Sequence, residues 1–256
     1  MTQDLVYNVV LLTACGLAVI VFASLFFIVA PYGRHTRRGW GPTIGDKAGW
    51  IVMEAPSPLL LAGYYFWGRP GTLTALVFLI MWETHYVYRA FLYPLRMRSS
   101  QTRMPLSVVG MGVLFNVMNA YLNGRYLYML AHAYPLAWLI DPRFVLGLGL
   151  FVLGLLVNRQ ADRILRNLRR SMPDGQAHTY QIPEGGLYRW ISCPNYLGEI
   201  IEWIGWAVAT WSWSGAAFAI WTAANLAPRA RANHRWYLET MPDYPPERKA
   251  LLPGVW

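Results

Sequence analysis

Long apolar runs, most of them ended by arginine, tryptophan or proline, make up most of the chain. A surface helix of a soluble domain brings polar residues round every turn, leaving only one apolar stripe. Here that stripe widens to the full circumference over stretches close to the ~20 residues a helix needs to cross hydrocarbon. Seven windows qualify: 5–31, 48–67, 72–93, 105–131, 144–158, 195–213 and 215–236. The second is interrupted by Pro56 and Pro58. The fifth is short unless its helix starts near Leu136, and it runs on into a basic extension. The pattern predicts an all-α integral membrane protein, a seven-transmembrane-helix bundle. No repeat, low-complexity linker or composition break divides residues 1–256 into more than one domain.

Composition sharpens this picture. Hydrophobic residues are 55% of the chain and charged residues only 14%, against roughly 25% charged in soluble domains. Thirteen Trp and sixteen Tyr suit a protein with many apolar–aqueous boundaries. The net charge of +9 raises the question of nucleic acid, but the basic residues lie between apolar runs and form no single face. Their distribution reads instead as topology. With the N-terminus outside, 18 Lys and Arg fall in inner segments: Arg34, Arg37, Arg38, Lys47, Arg96, Arg98, Arg103, Arg159, Arg163, Arg166, Arg169, Arg170, Arg189, Arg229, Arg231, Arg235, Arg248 and Lys249. Only Arg69, Arg125 and Arg143 fall outside, and Arg89 lies within a span. That bias puts the C-terminus in the cytoplasm. The start of the chain does not read as a cleaved signal, since Asp4 stands where a basic segment belongs and the run that follows is too long. Cys15 and Cys193 give no metal or disulfide spacing, and no metal site is expected.

Ionisable groups inside apolar spans are costly and usually face a cavity or a partner. The second window carries Glu54 and Ser57; the third carries Glu83, His85, Tyr86 and Arg89. Two readings stand side by side. In one, Glu54 simply ties its helix to Arg89. Alternatively a neutral Glu54, beside a Tyr hydroxyl, supplies two donors able to polarise a ketone in an apolar pocket. Towards the C-terminus, Asn158 and Asp162 sit one turn apart, Asn195, Glu199 and Glu202 form an i, i+4, i+7 stripe, and Arg229, Asn233 and Tyr237 form another. These stripes make either a polar pocket open to the cytosol or a salt-bridged bundle. Neither GxGxxG after a strand nor GxxxxGK[ST] occurs, so a nucleotide would bind between the helices themselves. The glycines 147, 149 and 154 suit close helix packing.

The run Tyr180-Gln-Ile-Pro-Glu-Gly-Gly-Leu-Tyr188, followed by Pro194-Asn-Tyr-Leu-Gly-Glu-Ile-Ile-Glu-Trp203, closely resembles the steroid 5α-reductases. So do Asn158 to Arg169, the tail from Asn233 through Tyr237 and Tyr244 to Leu251, and more thinly Met53-Glu-Ala-Pro-Ser57 and His85-Tyr86 to Arg89. The resemblance implies an NADPH-dependent membrane enzyme with seven helices that reduces the Δ4 double bond of 3-oxo steroids. By carry-over, Glu54 and Tyr86 bind the 3-keto oxygen, with Met53, Ser57 and Arg89 in the substrate pocket. Asn158, Asp162, Arg169, Tyr180, Asn195, Glu199, Arg229, Asn233 and Tyr237 fall where the family holds its dinucleotide. The N-terminal half is then mainly substrate pocket and 158–256 mainly NADPH-binding. The family usually has Gln where this chain has Met53, which leaves substrate preference open, and Glu83 receives no role. The alternatives are a reductase of another enone lipid, or an isoprenylcysteine-type S-adenosylmethionine-dependent methyltransferase. The expected partners are a steroid and the lipid bilayer, with no nucleic acid; the sequence does not fix the oligomeric state and is compatible with a monomer. The host membrane is a bacterial inner membrane or the endoplasmic reticulum, with the cofactor site facing the cytoplasm.

Overall fold

The computed structural model describes residues 3–35, 37–68, 70–97, 102–131, 133–170 and 180–256, with the side chains of Gln3, Arg169 and Arg170 outside the description. Of the described residues, 75% are helical. Helix α1 spans Gln3–Leu25, and the broken second window becomes α2 (Asp46–Glu54) and α3 (Pro56–Gly68). Pro56 has no N–H to continue the α2 ladder, so the chain restarts there with Glu54 at the joint. Helix α4 (Leu73–Val87) is capped by Thr72, whose hydroxyl accepts from the Ala75 N–H at 3.2 Å. It passes through a π-helical turn at Tyr88–Leu92 into the short α5 (Tyr93–Arg96). Helix α6 (Leu106–Arg125) also ends in a π turn, Tyr126–Leu130. Helices α7 (Pro142–Arg170), α8 (Pro194–Thr210) and α9 (Trp213–Thr240) complete the bundle.

Each of the seven apolar windows contains helix, and α7 and α9 extend beyond theirs. Among the described residues three are long and apolar enough to cross a membrane: Asp4–Leu25, Leu106–Leu130 and Pro142–Leu168. The fifth window is therefore not short. Its helix starts at Pro142, and Leu136–Ile140 is a separate 3-10 turn. Side chains such as Leu12, Val19, Phe66, Leu114 and Leu156 are more than 60% exposed, a spread of apolar surface that suits lipid and not water.

Two contacts fix the interior. Helices α7 and α8 meet backbone to backbone through Gly147, Gly154, Gly198 and Gly205. A Cβ on Gly154 would collide with the Glu202 backbone, and one on Gly147 with that of Ala209. Two of the three glycines expected to pack helices do so, whereas Gly149 faces open space. The second contact is a buried aromatic stack in which Trp82, Tyr86, Trp203, Trp206 and Phe218 bring α4, α8 and α9 together. Outside the bundle, β1 (Thr43–Gly45) pairs antiparallel with β2 (Arg103–Pro105), and the tail docks through a parallel bridge of Ile191 with Lys249.

Candidate active site

The joint between α2 and α3 presents Glu54 to α6. There the Asn116 amide donates to Glu54 Oε2 at 3.3 Å and to the Met53 carbonyl at 2.8 Å. Three residues on, Asn119 donates to the Tyr86 hydroxyl at 3.5 Å. The acid and the phenol are thus each served by an amide of α6, and the phenol is itself part of the aromatic stack. Ser57 is fully buried beside Tyr86, yet its hydroxyl has no hydrogen bond of good geometry among the described residues. Met53, expected in the substrate pocket, turns its side chain onto Gly112 of α6 and packs with the Met104, Val108 and Val109 cluster, while its carbonyl accepts from Asn116.

Arg89 sits in the π turn that follows Tyr86, a distortion of the kind often found at functional sites. Its guanidinium lies over the Trp50 ring at 4.7 Å and 3.6 Å from Asp162 Oδ2. No ion pair joins it to Glu54 among the described residues, and Asp162 is the acid it pairs with. A second bridge was missed in the sequence: His85 Nδ1 meets Glu202 Oε1 at 2.9 Å, both side chains almost wholly buried. The positions gave a signal, a His in one span and the last member of the Glu stripe in another, but no spacing connects residues 117 apart.

The C-terminal stripes are in contact with one another. Asn158 donates to the Asn195 carbonyl at 3.0 Å, which the glycine contact between α7 and α8 makes possible. Arg229 donates to the Tyr196 hydroxyl at 3.2 Å, and Asn233 reaches the same oxygen at 3.3 Å. Tyr237 stacks on Tyr244, and Tyr180 meets Trp236 edge to face. The side chain of Arg169 lies outside the described residues.

What sequence reasoning did not anticipate is the contribution of the loop after α1. Arg34 lies against the rings of Tyr180, Trp236 and Tyr237 and donates to the Tyr237 hydroxyl at 3.0 Å. Its other terminal nitrogen is buried without a hydrogen-bond partner among the described residues. His35 Nε2 meets the Asn233 side-chain oxygen at 3.0 Å, and Arg229 also covers the Tyr32 ring. Burial, followed by the positive charges of Arg34 and Arg37, holds the His35 pKa below its usual 6.5, outweighing the Asn233 bond. Burial also pushes the Cys193 thiol up to about 12, despite nearby Arg34, which leaves it a poor nucleophile.

A buried guanidinium N–H without a partner, a second arginine, two tyrosine hydroxyls and stacked aromatic faces form a donor set that fits a phosphate-bearing nucleotide. Among the described residues no group of His, Cys, Asp and Glu is arranged to hold a metal.

Comparison with known proteins identifies the family. Residues 102–256 match the family model described as 3-oxo-5-alpha-steroid 4-dehydrogenase. The chain is 43% identical to steroid 5-alpha-reductase DET2 of Gossypium hirsutum, over 100% of this chain and 99% of that one. It is 42% identical to 3-oxo-5-alpha-steroid 4-dehydrogenase 1 of Macaca fascicularis, over 87% and 83% of the two chains, and 40% identical to the Homo sapiens protein of the same name, over 93% and 91%. The chain therefore belongs to the 3-oxo-5-alpha-steroid 4-dehydrogenase family, the steroid 5-alpha-reductases, and is an oxidoreductase acting on CH–CH bonds.

Proposed function

We propose that the protein reduces the Δ4 double bond of 3-oxo-Δ4 steroids to the 5α-3-oxo products, using NADPH. The observation that carries this reading is the pairing of a carboxyl and a phenol, Glu54 and Tyr86, each backed by an α6 amide and set over an apolar aromatic floor. The two side chains hold the 3-keto oxygen. As hydride reaches C5, negative charge moves onto that oxygen as an enolate, and fixed donors in a water-poor site are the strongest means of stabilising it. C4 then takes a proton. With one Glu54 oxygen accepting from Asn116, the second is left to carry a proton towards the ketone. Ser57 lines the same pocket.

NADPH supplies the hydride when bound. Arg34, Arg229, Tyr196, Asn233 and Tyr237 hold its phosphates and hydroxyls, while Asn158, Asp162, Asn195 and Glu199 lie nearer the ketone site. Arg89 joins the two ends through Asp162. The substrate end is thus built from the N-terminal half, and the cofactor end from 158–256 with Arg34 and His35 added. We read the shorter and broken helices as crossings too, giving seven in all with the N-terminus outside and the cofactor end facing the cytoplasm. The 18-to-3 split of loop cations supports that orientation.

The test is direct. Purified protein in lipid, given NADPH and a 3-oxo-Δ4 steroid, oxidises the cofactor and yields a product two mass units heavier, assigned as the 5α ketone by chromatography and mass spectrometry. Consumption of S-adenosylmethionine with no reduced steroid would overturn the assignment.

A further inference from the structure

The face of α6 that meets the ketone site carries three amides, Asn116, Asn119 and Asn123, all at most 3% exposed and spaced i, i+3, i+7. Side-chain amides are ambiguous about which end is oxygen, but a donor-only neighbour removes the ambiguity. Trp206 is such a neighbour. Its indole N–H can only donate, and it lies 2.9 Å from Asn123 Oδ1. With that end fixed as oxygen, the Asn123 NH2 must face Asn119, and it donates to Asn119 Oδ1 at 3.0 Å and to the Asn119 carbonyl at 3.1 Å. Asn119 is oriented in turn, and its NH2 is what meets the Tyr86 oxygen at 3.5 Å. Every link runs the same way, from indole to amide to amide to phenol.

We infer that Asn119 and Asn123, with Trp206 setting their direction, are positioning residues that aim the Tyr86 proton at the substrate. Because the phenolic oxygen accepts from Asn119, its own O–H is turned away from α6 and is free to donate. Were Asn119 reversed, its carbonyl would take that proton and Tyr86 would present a lone pair to the ketone. Aligned hydrogen bonds also polarise one another, by about 10–30% per bond, so the chain makes the phenol a better donor. The Asn119 contact is long, as such bonds often are before substrate binds. Asn116 gives Glu54 the same treatment, because the acceptor-only Met53 carbonyl fixes its NH2 towards the Glu54 carboxyl.

The inference rests on Tyr86 acting at the ketone, and a double-mutant cycle in the full-length protein separates the two ideas. Asn123→Leu keeps the volume and removes both links; we expect kcat to fall roughly tenfold to a hundredfold with the KM for NADPH unchanged. In a Tyr86→Phe background the same substitution adds no further loss. Additive losses in the two backgrounds, or an unchanged kcat for Asn123→Leu, would overturn the positioning role while leaving the Tyr86 assignment standing. Full turnover by Tyr86→Phe alone would overturn both. Should Asn123→Leu fail to fold, Trp206→Phe keeps an aromatic ring and deletes only the directing N–H. The same kcat-only loss is expected, and an unchanged kcat in that variant would again sink the inference.

Discussion

The two ends of the proposed site are built from different chemistry. At the end proposed for the ketone, Glu54 and Tyr86 are served by neutral amides of α6, and Arg89 pairs with Asp162. At the end proposed for the cofactor, Arg34 and Arg229 lie against aromatic faces and donate to tyrosine hydroxyls. The difference follows the charge each end must meet. A fixed charge at the ketone would bind substrate and enolate alike, whereas neutral donors reward the oxygen as it becomes negative. Phosphates arrive fully charged, so permanent cations suit them. Between the ends, His85–Glu202 and Arg89–Asp162 tie α4 to α8 and to α7, which holds the two chemistries at a fixed separation.

The largest effect should come from breaking the frame that both ends share. Gly154→Leu forces a branched side chain into the α8 backbone, and overpacking of that kind costs ~3 kcal/mol or more. We expect little folded, detergent-stable protein by size-exclusion chromatography. Gly149→Leu, on the same helix but facing open space, should behave as the parent. Equal behaviour of the two variants would show that the glycine contact does not set the distance between Asn158 and Asn195.

Next in size is the contrast between the ends. Glu54→Gln should lower kcat by roughly 10²–10³ with little change in the KM for NADPH, since it removes a group that acts on developing charge. Arg34→Ala should do the reverse, raising that KM roughly tenfold to a hundredfold at nearly constant kcat. Steady-state kinetics with NADPH varied at saturating steroid separates them. If both variants moved the same parameter, the division of labour would be wrong.

How much of this was legible beforehand depends on the range of the signal. The apolar windows follow from residues close in sequence, and so do the stripes Asn195–Glu199–Glu202 and Arg229–Asn233–Tyr237, because helical spacing is local. The pairs were not legible: Asp162 with Arg89, His85 with Glu202 and Arg34 with Tyr237 connect residues 73, 117 and 203 positions apart. The α6 amides were a different kind of miss. Asn116, Asn119 and Asn123 stood at helical spacing in an apolar run, but they carry no charge and so escaped a search directed at ionisable groups. Met53 entered the candidate pocket only through the family resemblance; adjacent positions on a helix diverge by about 100°, and its side chain lies on Gly112.

The smallest expected effect probes the clasp by which the loop after α1 joins the cofactor end. His35 is held there in the neutral form by burial and by Arg34 and Arg37, while its Nε2 hydrogen bonds Asn233 and Arg231 and Arg235 line the adjoining groove. A histidine whose folded pKa lies below its unfolded value takes up protons more readily when released. The stability it lends is therefore complete above about 6.5 and declines as pH falls from there through the folded value. Protonation would add a third positive charge beside two arginines and loosen the seat of Arg34. The KM for NADPH should accordingly rise a few-fold on acidification below about 6.5, with kcat changing less. His35→Gln, which can still hydrogen bond Asn233 but cannot titrate, should flatten the acid limb of the KM profile, leaving the values above neutrality unchanged. An acid limb that persists in His35→Gln would assign the titration to another group and leave Arg34 seated independently of its neighbour.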